Sequence, residues 1–361
     1  MTKALKRENE PWARTPSVVD VAELAGVSTG TVSRVLSNST HPVSEDTRRR
    51  VLEAAESLDF MPNALARGLS GGRTRTIGVV VHDITDDFFN QIVRGIDDVA
   101  GASGYIVMVL SSYRDPDKEL DYVRRLRAYR CDGLIFVGGG LRVRGYASKL
   151  STQLDAIEQR GGAVVMLAPS DLTRPSILYD NEGGVRAMVE HLVSLGHRSF
   201  ALISGPRHLK TSIVRATALE DALRAHGIDL DDDLIADGNF DREGGAWALQ
   251  ELISMGKEFT AAVCLNDQMA VGCLLAARRL GVRVPYDISV VGFDDLPVTE
   301  ILDPPLTTVR VPMRELGQEG MKLLLDRLEG RTDERQRALP CELVVRASSG
   351  PAIPRNEGSA A

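Results

Sequence analysis

Apolar positions along this 361-residue chain keep two different rhythms, and the change falls near residue 75. Up to residue 61 the rhythm is helical and the runs are short. Val21, Ala22, Leu24 and Ala25 give a first inward face, Val32, Val35 and Leu36 a second, and Val51, Ala54, Ala55 and Leu58 a third. Polar residues mark the ends. Ser17 precedes Asp20 by three residues, the spacing of a capping box. Gly26 supplies a turn in left-handed backbone, and Ser28 caps a second helix from about Thr29 to Leu36. Ser44 caps the third, with Glu45 and Asp46 in its first turn. Met61-Pro62 closes it, because proline disfavours helical backbone at the residue before it. The pattern predicts an all-α helix-turn-helix headpiece over 17–61.

From Thr76 onward, short continuous apolar runs alternate with amphipathic stretches. Strands are expected at Ile77–Val81, Tyr105–Leu110, Gly133–Val137, Ala163–Leu167, Ile177–Asp180, Phe200–Ser204, 261–265 and 288–293. Helices are expected at Phe88–Ser103, Asp115–Tyr129, 151–160, 182–195, 212–226, 243–255, 267–280 and 312–329. Strands alternating with helices mean parallel sheets covered on both faces. Ligands of such sheets bind beyond the carboxyl ends of the strands, where this chain carries Asp83, Asp180, Asn266 and Asp294. About 285 residues is long for one such sheet, so two lobes with a cleft are expected.

A hydrophobic share of 43% with 26% charged residues fits a soluble globular protein, and no apolar run reaches the ~20 residues of a membrane span. The first ten residues lack an apolar segment, so the expected location is the cytoplasm. Cys131, Cys264, Cys273 and Cys341 form no Cys-x-x-Cys pair, so neither a metal site nor a disulfide framework nor any cofactor is implied. The net charge of −7 argues against a protein that coats nucleic acid. Its distribution says more: residues 1–75 carry 11 Lys+Arg against 9 Asp+Glu, and the remainder 32 against 41. A mildly basic head on an acidic body fits a DNA-reading module joined to a domain with another task.

Thr29, Thr31, Ser33 and Arg34 lie off the inward face of the second helix. Short hydroxyls allow close approach to a major groove, and an arginine can bond a guanine edge with two donors. A solvated face in any helical bundle is the bland alternative. Arg48, Arg49 and Arg50 fit phosphate contacts and a solvated face equally well. Residues 1–16 read as a disordered arm, 62–75 as a hinge and linker, and 350–361 as a tail. Asn63–Leu69 is shorter than the ~12–15 residues that an isolated helix needs, and Gly68 weakens it by about 1 kcal/mol more. It is expected to be helical only against a partner.

These residues resemble the lactose repressor (LacI/GalR) family. The resemblance runs through Asp20-Val-Ala, Gly26-Val-Ser, Thr31-Val-Ser-Arg-Val35, Pro62-Asn63, Ala66-Arg-Gly-Leu69 and Asp180-Asn181. It continues through His191–Arg198, Asn266-Asp-Gln-Met-Ala270, Ile288–Asp295 and Pro305-Leu-Thr-Thr308, covering about 17–347 in order. It implies a DNA-binding headpiece, a hinge helix and a two-lobed, periplasmic-binding-protein-like α/β core over 76–349. The first lobe would span about 76–177 and 310–340, the second about 178–309 and 341–349. It also implies a homodimer on a near-palindromic operator. The lack of a leucine heptad after residue 347 favours a dimer over a tetramer.

By the same resemblance Thr29, Gly30 and Arg34 would read bases, with Gly30 silent for want of a side chain. Ser28, Thr31, Ser33 and Asn38 would hold phosphates. Asn63, Ala66 and Leu69 belong to the hinge, Leu69 wedging into the minor groove. Around the effector, Phe88, Phe89 and Phe240 would form aromatic walls, and Asp83, Arg215, Asn266 and Asp294 would bond hydroxyls. Core packing for Phe88 and Phe89, and helix capping for Asn266, are open alternatives. The expected effector is a mono- or oligosaccharide; nucleosides and purines also serve in the family. The segment 138–154 looks longer and more basic than the family pattern, as a loop insertion would.

The expected function is a ligand-controlled transcriptional regulator, most simply a repressor. A sugar-binding protein with the same core, or an α/β enzyme, are the alternatives. The chain contains no P-loop or His-x-x-x-His spacing, and its histidines do not cluster, so catalysis has no visible machinery.

Overall fold

A computed structural model describes residues 16–36, 41–61, 73–138, 140–331 and 336–352. The chain divides into two compact units, Met1–Thr74 and Arg75–Ala361. The expected sites Asn38, Asn63, Ala66 and Leu69 lie outside the described residues.

The first unit packs the helices Val18–Ala25, Thr29–Leu36 and Glu45–Ser57 around a small core. Val21, Ala22, Ala25, Val32, Val35, Val51, Ala54 and Ala55 are buried there. Ser17 and Asp20 form both halves of a capping box, and Gly26 closes the first helix at φ 63°. Leu24 departs from its expected inward place and is 57% exposed. It lies two positions from Ala22 and one from Ala25, off the narrow stripe that an eight-residue helix can bury.

The second unit contains two parallel sheets. The first runs in the order β11–β5–β4–β3–β1–β2, from β1 (Thr76–Val81), β2 (Ile106–Ser111), β3 (Gly133–Val137), β4 (Ala163–Met166), β5 (Ser176–Tyr179) and β11 (Gln336–Leu339). The second runs β7–β6–β8–β9, from β6 (Phe200–Ser204), β7 (Ile235–Asp237), β8 (Ala261–Cys264) and β9 (Ser289–Val291). An antiparallel pair joins β10 (Thr308–Arg310) to β12 (Glu342–Val344). The chain passes between the lobes at Asp180, between Arg310 and Met313, and between Leu339 and Glu342. β1, β3 and β4 are buried almost throughout, which is why their sequences read as unbroken apolar runs.

The helix on 146–158 begins five residues earlier than expected. Its N-cap is Gly145, which offers no side-chain cap and so no polar signal in the sequence. The segment 138–154 is therefore not an inserted loop throughout, since Tyr146–Leu154 is helical. The short strands β7, β10, β11 and β12 were not expected from the pattern. The chain also stays attached past residue 349: Gly350 donates to Ser289 Oγ at 3.1 Å, and Ala352 donates to the Leu195 carbonyl at 2.9 Å.

Each lobe holds a helix pair in backbone contact. A Cβ on Gly95 would stand 2.0 Å from the Arg314 carbonyl, and one on Gly317 would stand 2.1 Å from that of Ile92. The helices Asp87–Ala102 and Met313–Leu328 therefore meet through two glycines. Gly245 and Gly272 do the same for Arg242–Ser254 and Asp267–Leu280, where a Cβ would come within 2.2 Å and 2.0 Å of backbone oxygens. Gly95→Ala is expected to lower stability by about 1–3 kcal/mol, the usual range for overpacking. A fall in the urea midpoint of the full chain checks this, and an unchanged midpoint would contradict it.

Candidate functional site

The headpiece presents one polar helix surface. In Thr29–Leu36, Val32 and Val35 face the core, while Thr29, Gly30, Ser33 and Arg34 are exposed and Thr31 is half-buried. Ser28 Oγ accepts from the Thr31 amide at 3.1 Å and sits 3.0 Å from Thr31 Oγ1. These two hydroxyls thus fasten the first helical turn, and Thr29, Ser33 and Arg34 present their side chains outward. A Cβ on Gly30 would meet only Ser28 Oγ, at 3.7 Å. Packing does not demand a glycine there, so its bareness belongs to the surface rather than to the core. Of the three arginines on the third helix, Arg49 bonds Asp46 at 2.7 Å and Arg50 lies 3.5 Å from the same carboxylate.

In the second unit, the carboxyl ends of the strands frame a cleft between the lobes. Phe88, Phe89, Arg215, Phe240, Asn266 and Asp294 line an inner space of about 50 Å³. Asp83 lies further out, on an adjoining mouth of about 360 Å³. The mouth is of a size that suits a small ligand.

Arg215 forms the floor. It is 2% exposed, and its guanidinium is held on every side. Nε donates to Asn181 Oδ1 at 2.8 Å, Nη1 to the Leu265 carbonyl, and Nη2 to Tyr179 Oη at 3.3 Å and Asp294 Oδ1 at 3.1 Å. Its plane lies over Phe293, 3.8 Å from the ring centroid. Burial holds the Asp294 carboxyl well above its usual range, and the Arg215 charge opposes this only in part. Arg215 is held above its ordinary value: burial would lower it, but Asp294, Tyr179 and Cys341 together outweigh that. Asn266 does two jobs. Its Oδ1 caps the following helix through the Met269 amide at 3.0 Å, and its Nδ2 donates to the Phe240 carbonyl at 3.2 Å. Phe88 and Phe89 also meet each other edge to face at 5.2 Å. They are buried core residues that also line the cleft.

Several cleft residues have no strong sequence signal. His82, Asp86, Arg114, Tyr179 and Thr211 share the lining. Asp86 caps the helix Asp87–Ala102, and burial raises its carboxyl above the ordinary range. Thr211 Oγ1 is buried and has no hydrogen-bond partner among the described residues. Arg114 reaches from the first lobe to the Asn239 carbonyl of the second at 2.8 Å, its guanidinium 5.8 Å from the Phe240 centroid. Three dipeptides at this cleft hold positive φ without glycine: Tyr113-Arg114 (56° and 62°), Asn239-Phe240 (54° and 58°) and Asp294-Asp295 (126° and 60°). Strain of this kind collects at functional sites.

Asp267 anchors the loop that carries Asp294. Its carboxylate accepts from the Leu296 amide at 2.8 Å and from Thr308 Oγ1 at 2.5 Å, while its own amide donates to the Phe293 carbonyl at 2.8 Å. Burial pushes its pKa up to about 6.

No metal-binding group of three or more His, Cys, Asp or Glu occurs among the described residues, and no helix there is long and apolar enough to cross a membrane. A helix-turn-helix head and a two-lobed α/β core with a polar-floored cleft together define a ligand-responsive DNA-binding regulator. Residues 17–63 match the family model for bacterial regulatory proteins of the lacI family, and 189–349 match that of the periplasmic binding protein-like domain. The chain is 36% identical over 334 residues to the HTH-type transcriptional repressor CytR of Escherichia coli (strain K12), covering 91% of this chain and 95% of that protein. It is 33% identical over 320 residues to the repressor PurR of Vibrio cholerae serotype O1 (strain M66-2), covering 89% and 94%. Among solved structures, the lac repressor dimer bound to operator and the anti-inducer ONPF superposes with a TM-score of 0.82 at 31% identity, over 93% of this chain and all of that one. A CelR–cellobiose complex gives 0.68 at 30% identity, over 92% of this chain and all of that one. The chain belongs to the LacI family, and it is a transcriptional regulator rather than an enzyme.

The Asp267 result gives a pH prediction. Its folded pKa lies above the unfolded value, so its contribution to stability is full below about pH 4 and is lost as pH rises through about 6. Asp267→Asn removes that dependence. The difference in Tm between wild type and Asp267→Asn should therefore shift against the wild type between about pH 4 and pH 6 and then level off. A flat difference across that window would contradict it.

Proposed function

We propose that this regulator is a repressor whose operator affinity is set by an uncharged, hydroxyl-rich ligand, a sugar or a nucleoside, bound between the lobes. The observation that carries the reading is the Arg215–Asp294 floor, flanked by Phe88, Phe89 and Phe240. Arg215 and Asp294 neutralise each other, so the floor offers hydrogen bonds without net charge. Above it Asp83, Asp86 and Asp241 outnumber Arg114 and Arg242. That excess of carboxylates repels a phosphate or an acid and welcomes donors. The Thr211 hydroxyl, without a hydrogen-bond partner among the described residues, adds a position for a ligand bond. Asn266, tied to the Phe240 carbonyl, positions the aromatic wall as well as facing the ligand.

On the DNA side, Thr29 and Arg34 read bases while Gly30 lets the helix approach. Ser28, Thr31, Ser33 and Asn38 set register on phosphates. Asn63, Ala66 and Leu69 form a hinge that folds on the operator, with Leu69 opening the central step. The working unit is a homodimer in the cytoplasm on a near-palindromic site. The headpiece spans 17–61 and the core 76–349. The lac repressor dimer on its operator, and the family member from Enterococcus faecium with bound ribose, support this arrangement by likeness.

Duplexes selected by the purified protein from a randomised library should share a two-fold symmetric site. Arg34→Ala should weaken that site by about 5–150-fold per half, the worth of one good bidentate pair, and relax one position in each half. An unchanged preference would remove Arg34 from base reading. Thermal shift against ribose, galactose, cellobiose, uridine, adenosine and glucose 6-phosphate tests the cleft. An uncharged compound at a hundred times its dissociation constant should stabilise by about 2.7 kcal/mol. A shift from glucose 6-phosphate alone would overturn the charge argument.

A further inference from the structure

Leu209, from the second lobe, is 2% exposed and lies in the core of the first. It is buried with Val80, Leu134, Phe136 and Leu141, all from the first sheet or the segment that follows β3. Leu141 and Leu209 face each other as an antiparallel β-bridge. The Arg142 amide donates to the His208 carbonyl at 2.7 Å, and the Lys210 amide returns to the Gly140 carbonyl at 3.0 Å. Lys210 Nζ also bonds Asp171 of the first lobe at 2.7 Å, and Arg142 lies 3.8 Å from the same carboxylate. This rim of the cleft is thus joined by main-chain bonds, an apolar plug and an ion pair. At the mouth, among the described residues, the lobes are joined by one side-chain bond, Arg114 to the Asn239 carbonyl.

We propose that Gly140–Arg142 and His208–Lys210 form an intramolecular clasp that holds the lobes closed through the protein's own contacts. The basic segment that looks like an insertion in the sequence is then a regulatory part. From Gly140 to Arg142 it pairs with the second lobe. Closure is a built-in state of the core, and a ligand shifts it only by its difference in affinity between the clasped and the released arrangements. A ligand that fits against Leu209, which lines the cleft, reinforces the clasp, and one too large for that space releases it. The regulatory meaning rests on the cleft reading above, but the clasp itself can be tested without ligand or DNA.

The helix Lys210–Ala225 starts at Lys210, and Leu209 before it has φ −93° and ψ 129°. Proline is accepted at the first helical position, and that extended conformation is the one proline asks of its predecessor. Lys210→Pro in the full chain therefore deletes the amide that bonds Gly140 without breaking the helix. Lys210→Ala removes only the ion pair and keeps the amide. Amide hydrogen exchange at Arg142, whose own bond to His208 is untouched by either change, reports on the clasp. It should run at least tenfold faster in Lys210→Pro than in Lys210→Ala, with the β6 and β8 amides unchanged. Equal protection of Arg142 in the two variants overturns the proposal. Should β6 and β8 also lose protection in Lys210→Pro, Leu141→Ala decides: tenfold faster exchange at the Lys210 amide upholds the clasp, and unchanged exchange rejects it. Neither result depends on the effector, so failure of the clasp and failure of the cleft reading show separately.

Discussion

The regulatory core is organised by one buried ion pair, Arg215 with Asp294. Two charges taken out of water are stable only when every donor and acceptor around them finds a partner. That requirement reaches into four parts of the chain. Asn181 comes from the first crossing between lobes, Tyr179 from the end of β5, the Leu265 carbonyl from the end of β8, and Asp294 from the loop after β9. Asp267 secures that loop in turn through the Leu296 amide. The pair therefore fastens the carboxyl ends of both sheets to one another and leaves its upper side as the floor of the cleft. Removing either partner would strand a buried charge, so a variant at Arg215 tests folding as well as ligand binding.

Around this rigid floor the walls are strained. Arg114, Phe240 and Asp294 reach the cleft from backbone that L-residues seldom adopt. Each is held by neighbours that fix it: Arg114 by its bond to Asn239, Phe240 through the carbonyl held by Asn266, and Asp294 by Arg215. Pairing strained positions across a gap couples them, because the Arg114–Asn239 bond joins two such dipeptides from different lobes.

Much of this could be read from residue order alone, for identifiable reasons. Strands buried on both faces leave unbroken apolar runs, so β1, β3, β4, β6 and β8 were legible. β7, β10, β11 and β12 were not, because three or four residues with exposed members carry no period. The helix at Tyr146 hid its start behind a glycine cap. In the cleft, Asn266 and Asp294 were legible as polar residues at the carboxyl ends of strands, and Arg215 through the resemblance. Arg114 was missed because non-glycine left-handed backbone writes nothing distinctive into the sequence. Thr211 was missed because one hydroxyl on a helix reads as surface until its burial is known. The clasp was half visible, as a basic excess with no assigned place.

The three passages between the lobes differ in stiffness. The first, at Asp180, is a helix cap with ordinary freedom. The other two contain Pro312 and Pro340, whose rings fix one backbone angle each. Three strands of chain side by side resist twisting, and two stiffened ones leave little besides bending about a line through the crossings. The lobes therefore share one path of motion, like the covers of a book with a sewn spine. Signals of different chemical origin would then reach the headpiece as different amplitudes of the same movement.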